Sequence, residues 1–435
     1  MRRRWPLVLA TLSACLLLSA CPAADQSAER SAPRPSPSPA EPPTAPRPAL
    51  GTDASIGLPA YTGPPAGGPP SAGPIRTLAA AVDLTPAAPG GLPRARLAVA
   101  TPDGGAYVVL GPDGGGPPQR LGTVRRAAGG YRVTRSVPVP LLEVWGLHLL
   151  ADGRVALTGP LDPTGDAPTG YGFAVVDPAT GAARSTAIVS FGPPPALATG
   201  RSALSRDGRT LFLFLSVEAG AGPRERLVAA DALTGVVLSD RDLSNDVAGA
   251  SREVAGHDVA GLVPRPGGGV TVVLDATPDA TRPERIPTLL TYDATLRPAG
   301  DPVRVTSAAE AAQTQAVAAG VDGTVFLAVR VSAGSWILAV PDGGGAGPVL
   351  VQLGDSAYDY SLLVEPAQVW GLLPAPTGAR AVHLTRGTVS APVDVGCPGL
   401  DLRAMFPGSG GVGALLVGEC NTPRTRTQML WILRP

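Results

Sequence analysis

Residues 144–189 read VWGLHLLADGRVALTGPLDPTGDAPTGYGFAVVDPATGAARSTAIV, and this stretch decides the fold class. Four short runs with β-strand character cover residues 144–150, 154–158, 171–176 and 183–189. The turn after the first run holds Asp152-Gly153, and the turn before the last runs from Asp177 to Gly181. Asp and Gly suit tight hairpins because such turns need positive φ or local side-chain hydrogen bonds. The stretch therefore predicts one antiparallel sheet of four strands.

The turn glycine recurs along the chain about every 55 residues, with a shorter last interval, at positions 104, 153, 208, 268, 323, 378 and 411. Val144-Trp145-Gly146-Leu147 and Val369-Trp370-Gly371-Leu372 lie at the same distance from their turns, as does Val259-Ala260-Gly261-Leu262. A period of this length is typical of a four-stranded β-propeller blade. We predict an all-β protein, a β-propeller of seven four-stranded blades, with six or eight left open. In the short sixth repeat, residues 360–364 have to serve as the first strand.

The last repeat has too few strands to complete a blade, because only residues 413–419 and 428–433 follow Gly411. A spare β-like run from Ile75 to Leu84 precedes the first blade. We predict that this run completes the last blade and joins the two ends of the domain. Cys397 and Cys420 lie symmetrically about the glycines at 408–411. If these glycines form a hairpin tip, the two cysteines face each other, which predicts a disulfide.

One segment resembles a known repeat family. Leu204-Ser205-Arg206-Asp207-Gly208-Arg209-Thr210-Leu211-Phe212 is similar to the Ser-x-Asp-Gly-Arg-x-Leu-aromatic repeat of YVTN-type and TolB-like propellers. The Asp-x-x-Thr-Gly turns at Asp177 and Asp231 resemble those of the same group and of quinone-dependent propellers. The resemblance implies propeller architecture for residues 75–435. It implies no catalytic residue, because these repeats are structural.

The first 21 residues predict export and lipid anchoring. Three arginines at positions 2–4 precede an apolar run, Trp5 to Leu18, which has the length of a signal-peptide core. The run ends in Leu18-Ser19-Ala20-Cys21, which resembles the lipobox of bacterial lipoproteins and implies lipidation of Cys21. Cys15 ends a second, less suitable lipobox, and a plain secretory or twin-arginine signal remains an alternative. We expect the domain to lie on the extracytoplasmic side of a bacterial membrane.

Residues 22–74 are rich in Pro, Ala, Ser and Gly, and such a composition favours extended polyproline II over a packed core. The predicted organisation is therefore a signal peptide (1–21), a disordered linker (22–74) and the propeller domain (75–435).

Composition excludes several functions. The chain contains no lysine, which rules out P-loop, kinase and Schiff-base chemistry based on that residue. The net charge is +0, so the composition lacks the excess of positive charge that is typical of proteins that bind nucleic acid. Residues 408–413 match G-x-G-x-x-G, but a strand-like run follows where a nucleotide site needs a helix. The three histidines, His148, His257 and His383, lack metal-ligand spacing. We expect no metal and no cofactor.

Two polar connections between blades are the candidate surface for a ligand or partner. They contain Asp242, Asp246, Arg252, His257 and Asp258, and Asp355, Tyr358, Asp359 and Tyr360. Our first hypothesis is a monomeric, lipid-anchored propeller that serves as a non-catalytic binding or scaffold module for a protein or glycan of the cell envelope. One alternative is an enzyme, a lactonase-like hydrolase or a quinone-dependent dehydrogenase, with its site at the channel mouth. Another is peptidoglycan or polysaccharide binding. A Ser-His-Asp triad assembled across blades is not visible in the sequence and is left open.

Overall fold

The computed structural model describes most of the predicted propeller domain. The described residues are 54–57, 74–87, 93–112, 118–161, 170–189, 198–219, 222–244, 246, 258–276, 285–306, 312–331, 334–342, 349–353, 361–365, 368–383, 388–423 and 425–435. All of them belong to one compact unit, Leu50–Pro435. The predicted signal peptide, Cys21 and most of the predicted linker lie outside the described residues. No helix in the described part of the chain is long and apolar enough to cross a membrane.

Two strands precede the blades, β1 (Ala54–Gly57) and β2 (Thr77–Asp83), and a 3-10 turn follows at Thr85–Ala87. Blade 1 contains β3 (Pro93–Ala100), β4 (Ala106–Pro112), β5 (Gln119–Ala127) and β6 (Gly130–Val139). Blade 2 contains β7 (Gly146–Leu149), β8 (Val155–Pro160), β9 (Tyr171–Val176) and β10 (Ala183–Val189). Blade 3 contains β11 (Ala198–Leu204), β12 (Thr210–Ala219), β13 (Gly222–Asp231) and β14 (Val237–Asp242). Blade 4 contains β15 (Asp258–Pro264), β16 (Val270–Ala276), β17 (Ile286–Tyr292) and β18 (Val303–Thr306).

Three further blades complete the ring. Blade 5 contains β19 (Gln313–Ala319), β20 (Val325–Val331), β21 (Gly334–Val340) and β22 (Val349–Leu353). Blade 6 contains β23 (Ser361–Glu365), β24 (Gln368–Ala375), β25 (Gly378–His383) and two short pieces, β26 (Thr388–Val389) and β27 (Val393–Asp394), that both pair with β25. Blade 7 contains β28 (Leu400–Pro407), β29 (Ala414–Asn421) and β30 (Arg426–Arg434), with β2 as its outer strand. The chain is thus an all-β, seven-bladed propeller, as predicted.

The first strands of the blades surround a central channel. Each contacts the first strands of the neighbouring blades, and β28 of blade 7 contacts β3 of blade 1, which closes the ring. The hydrophobic core lies between blades. One cluster joins Val109 and Leu121 of blade 1 to Leu157 of blade 2, and another joins Phe214 of blade 3 to Leu274 of blade 4. Side chains of a strand alternate between its two faces, so a blade packed on both sides needs strands that are apolar throughout.

The predicted closure of the ring is confirmed. Strand β2 pairs antiparallel with β30, with Thr77 opposite Arg434 and Asp83 opposite Met429. Val82 of this strand is 2% exposed and packs in the core between blades 7 and 1. The outer strand of the last blade therefore comes from the other end of the domain.

The predicted disulfide is also confirmed, although its geometry differs from a simple cross-strand pair. Cys397 and Cys420 are bonded, with their Cα atoms 5.7 Å apart. Within the β28–β29 hairpin Cys420 lies opposite Leu400. Cys397 precedes β28, and a turn at Pro398-Gly399 brings it back to Cys420.

The repeat was assigned correctly in most blades. Six of the seven predicted turn glycines lie in turns between first and second strands and have positive φ. Gly378 does not, because it begins β25 and lies between the second and third strands of blade 6. The first strand of this blade is β23, Ser361–Glu365, at the place predicted for the short repeat.

One short strand departs from the predicted linker. Ala54–Gly57, which falls in the segment expected to have no fold, forms β1 and pairs in parallel with β18 on the outer edge of blade 4. Backbone hydrogen bonding to an open sheet edge requires no particular side-chain pattern, so composition gave no sign of it.

Candidate functional site

Four first strands carry a β-bulge at the same repeat position. The extra residue is Arg96 in β3, Ala260 in β15, Gln315 in β19 and Arg403 in β28. Each lies eight positions before its turn glycine, where blade 2 has Trp145 and blade 3 has Gly200. A bulge leaves one residue unpaired and re-aims its side chain, and bulges are frequent beside binding sites. At this one height along the channel, the backbone of the first strand is therefore irregular in four of the seven blades.

Two of these bulges border a cavity at the joint of blades 7 and 1. The cavity has a volume of about 480 Å³ and is lined by Arg94, Ala95, Arg96, Asp401, Leu402, Arg403 and Ala404. These residues come from β3 and β28, the first strands that meet where the ring closes. We call this space the channel cavity.

The three arginines of the channel cavity differ in their partners. Arg403 Nη2 lies 2.6 Å from Asp401 Oδ2 and 3.6 Å from Glu419 Oε1. Arg96 Nη1 lies 2.8 Å from Glu143 Oε1. Arg94 forms no ion pair with any carboxylate of the described residues. Its guanidinium is therefore the uncompensated charge of the cavity.

Glu419 is a buried carboxylate that interacts with Arg403. Its side chain is only 2% exposed and also forms an ion pair with Arg426. The hydrogen bond from Arg426 holds the pKa of Glu419 below its usual value, with help from Gln428 and from the charges of Arg426 and Arg403. Glu419 thus stays ionised and holds Arg403 at the cavity wall.

A series of polar side-chain contacts leads from the channel cavity into blade 2. Glu143, which binds Arg96, also accepts a hydrogen bond of 3.4 Å from Trp145 Nε1. The Trp145 ring stacks on Tyr171 with ring centroids 5.6 Å apart. Gly200 also lies against the indole, because a Cβ atom there would come within 2.2 Å of the Trp145 ring. Gly200 occupies in blade 3 the repeat position at which other blades have a bulge. It has to be a glycine, because the Trp145 ring of blade 2 leaves no room for a Cβ atom.

Next to Trp145, a hydroxyl and an imidazole meet across blades 2 and 3. His148 Nε2 lies 2.7 Å from Ser202 Oγ, which lies 2.8 Å from Thr158 Oγ1. Gly146 leaves the space for this group, because a Cβ atom there would come within 1.9 Å of Ser202 Oγ. Burial lowers the pKa of His148 to about 4, so the ring is neutral at pH 7. We call these three residues the Ser202–His148 cluster.

The candidate surface from the sequence is only partly described. Asp242 ends β14, and its Oδ1 accepts a hydrogen bond from the Ser244 amide. Asp246 binds the Arg241 guanidinium, with Nε–Oδ2 2.9 Å, and accepts a hydrogen bond of 3.2 Å from Tyr292. Asp246 therefore links blade 3 to blade 4 and does not line the channel cavity. Asp258 begins the first strand β15, while Arg252, His257, Asp355, Tyr358, Asp359 and Tyr360 lie outside the described residues.

The arginines of the channel cavity were not among the residues predicted from the sequence. The position eight residues before the turn glycine was considered only for Trp145, Trp370 and Ala260. Applied to every blade, the same offset would have selected Arg96 and Arg403. The other described histidine, His383, packs edge-on against Trp370 at 4.6 Å and is buried. Among the described residues, no group of three or more His, Cys, Asp or Glu could hold a metal ion.

No protein-family model matches the chain, and no curated protein matches it significantly. Solved structures do. An oligogalacturonate lyase in complex with manganese matches with 12% identity and a TM-score of 0.51, over 78% of this chain and 88% of that one. The polysaccharide lyase Uly1 matches with 10% identity and a TM-score of 0.50, over 80% and 90%.

A puromycin hydrolase matches less well, with 17% identity and a TM-score of 0.44, over 77% of this chain and 52% of that one. The chain spans about half the length of the hydrolase and peptidase structures that it matches. At 12% and 10% identity, the likeness to the two lyases shows the fold alone.

Proposed function

We propose that the protein is a lipid-anchored propeller of the cell envelope that binds an anionic, carboxylate-bearing ligand in the channel cavity. The uncompensated guanidinium of Arg94, beside the two bulged arginines Arg96 and Arg403, carries this proposal. A guanidinium presents several N–H donors in a planar fork that matches a carboxylate. Acidic polysaccharides and peptidoglycan peptides both present such groups, and both fit the envelope location proposed from Cys21.

The existing ion pairs define how a ligand would bind. Arg96 and Arg403 are already held by Glu143 and Asp401 at 2.8 and 2.6 Å, so each is oriented before a ligand arrives. Arg94 supplies the net attraction. Both carboxylates are exposed by more than 40%, and water therefore screens much of their hold on the arginines.

Calorimetric titration of the full chain in a nonionic detergent tests the proposal. The probes are galacturonate oligosaccharides, soluble peptidoglycan peptides and a neutral glucan of the same length. We expect binding of an acidic probe, weakened at least tenfold by Arg94→Gln and unchanged by Arg184→Gln, an exposed arginine on the outer strand of blade 2. Equal affinity in the two variants, or equal affinity for the neutral glucan, would contradict the proposal.

The Ser202–His148 cluster favours a second candidate function, hydrolysis of an ester or lactone. The Ser202 oxygen would attack the acyl carbon while His148 Nε2 takes the hydroxyl proton. The alkoxide leaving group would then receive that proton, and water would cleave the acyl-serine and restore the hydroxyl. Because its pKa lies near 4, His148 is in the neutral form that this step needs.

A lactone and ester panel tests this candidate, with wild type, Ser202→Ala and Thr158→Val. Thr158 touches Ser202 but has no part in the acyl transfer. Turnover that survives Thr158→Val and is lost in Ser202→Ala would favour the hydrolase. Turnover that persists in Ser202→Ala, or none with any substrate, would leave the cluster as a link between blades.

A further inference from the structure

A second cavity lies where the two ends of the domain meet. It has a volume of about 270 Å³ and is lined by Thr77, Ala79, Arg126, Gly130, Tyr131 and Arg434. These residues come from β2, β30 and the β5–β6 hairpin, and the first-to-second-strand turn at Gly104 is close to Tyr131 and Arg434. The channel cavity lies near the start of the first strands, so the two cavities are at opposite ends of β3. We call the second one the seam cavity.

The described residues that line the seam cavity include two positive charges and no negative one. Arg126 and Arg434 both line it, and neither forms an ion pair with a carboxylate of the described residues. The nearby Asp103 is engaged by Arg125, with Nε–Oδ2 3.0 Å. Placing two guanidinium groups in one cavity without a counter-charge is unfavourable.

Arg434 also has an unsatisfied donor. Its Nη2 donates a hydrogen bond of 2.7 Å to the Tyr131 hydroxyl. Its Nε is buried and has no hydrogen-bond partner. A buried donor left without an acceptor is costly, and its presence in a folded protein calls for an explanation, such as a bound ion.

We propose that the seam cavity binds a tetrahedral oxyanion, a phosphate or sulfate group. The Arg434 N–H groups that Tyr131 leaves free and the Arg126 guanidinium would donate to it. The Tyr131 oxygen already accepts from Arg434, so the Tyr131 hydroxyl hydrogen is available to donate as well. Two guanidinium groups and a hydroxyl that converge on one small cavity match several oxygens of one anion better than the two of a carboxylate.

The backbone makes this a built site. Arg126 lies opposite Tyr131 in the β5–β6 ladder, and Thr77 lies opposite Arg434 in the β2–β30 ladder. Ala79 is the extra residue of a bulge in β2. An anion bound here would connect blade 1 to β30 and β2, the third and outer strands of blade 7. Binding is therefore expected to stabilise the closure of the ring.

The same phosphate chemistry has two sources, a free anion or the headgroup of an acidic phospholipid. The first arm titrates sodium phosphate and sodium sulfate into the full chain in nonionic detergent, at constant ionic strength with chloride as the balancing ion. The second arm measures flotation of the Cys21→Ser chain, which lacks the proposed lipid attachment, with phosphatidylglycerol or phosphatidylcholine vesicles.

We expect one oxyanion site per chain and a melting temperature several degrees higher in saturating phosphate than in chloride. Arg126→Gln removes no hydrogen bond or ion pair of the described residues, and it is expected to weaken binding at least tenfold without lowering the melting temperature in chloride. Arg434→Gln should weaken binding at least as much. Arg132→Gln, an exposed arginine of the same hairpin, is the matched control and should bind like the wild type.

Binding of free phosphate or sulfate that depends on Arg126 supports the site with a soluble ligand. Flotation with phosphatidylglycerol vesicles alone, lost in Arg126→Gln, supports it with a headgroup. No binding in either arm, or equal binding by Arg126→Gln and Arg132→Gln, overturns the proposal. The galacturonate titration reports only on the channel cavity, so failure of one site does not imply failure of the other.

Discussion

At the scale of single residues, the Ser202–His148 cluster leaves no room for a Cβ atom at Gly146 unless the Ser202 hydroxyl gives up its position. A Cβ atom at this position would overlap Ser202 Oγ at 1.9 Å and crowd Thr158 Oγ1 at 2.7 Å. We expect Gly146→Ala to lower the free energy of unfolding by about 1–3 kcal/mol, as overpacking does. Urea unfolding measures this. Gly267→Ala is the matched control, because nothing lies within 4 Å of its added atom, and a loss of equal size there would refute the explanation.

His148 makes stability depend on pH in a defined window. Its pKa is about 4 in the fold because burial disfavours the charged ring, and about 6.5 in the unfolded chain. Between these values the unfolded state binds more protons, so stability is complete above pH 6.5 and falls as the pH drops towards 4. The expected loss from pH 7 to pH 4.5 is about 2 kcal/mol.

Urea unfolding at pH 7 and pH 4.5 checks this expectation, with His148→Asn as the comparison. The variant should lose stability at pH 7 but show a smaller drop between the two pH values. The same drop in both proteins would assign the pH dependence to other groups. Turn aspartates such as Asp177 and Asp231 have lowered pKa values, so their contribution is lost at more acidic pH.

At the scale of strands, two neighbouring residues of β2 allow the contribution of core packing to be measured apart from that of strand pairing. Val82 is buried between blades 7 and 1, whereas Ala81 faces solvent on the same strand. Val82→Asp places an unpaired carboxylate in that core, and we expect a loss of about 3 kcal/mol or more. Ala81→Asp should cost no more than about 0.5 kcal/mol. Thermal unfolding of both variants measures the difference, and similar melting temperatures would mean that β2 does not close the ring in solution.

The strands also show how much of the fold can be predicted from the sequence. Every strand of blade 2 was predicted to within two residues, because each is bounded by Asp-Gly or Asp-x-x-Thr-Gly turns whose chemistry is local. The strands of the sixth blade were assigned to the wrong positions, because Val369-Trp370-Gly371-Leu372 has the same sequence as Val144-Trp145-Gly146-Leu147. Trp145 precedes a first strand, whereas Trp370 is buried in a second strand. A period of two residues marks a strand without giving its position in the sheet.

The candidate site was less predictable for a related reason. Bulges at Arg96 and Arg403 arise from pairing between strands, which the alternation of apolar residues does not encode. The meeting of His148 with Ser202, and of Arg126 with Arg434, depends on which blades are neighbours and on ring closure. Sequence indicated the closing strand, but it could not indicate which side chains the closure brings together.

At the scale of the whole molecule, the proposed functions depend on where the chain is held. The lipobox proposal makes Cys21 the attachment point, with Cys15 as the alternative. Cys21→Ser should move the protein from the membrane fraction to the soluble fraction, because no acyl chains remain to anchor it. Cys15→Ser, the matched control, should leave the protein membrane-bound, since that residue would be removed with the signal peptide.

Fractionation followed by intact mass measures both variants. The melting temperature should be the same in each, because neither cysteine belongs to the described propeller. If Cys15→Ser releases the protein and Cys21→Ser does not, the attachment point is six residues earlier than proposed. If neither releases it, the anchor is not a lipid on these cysteines, and the envelope location of the acidic ligand has to be established by another route.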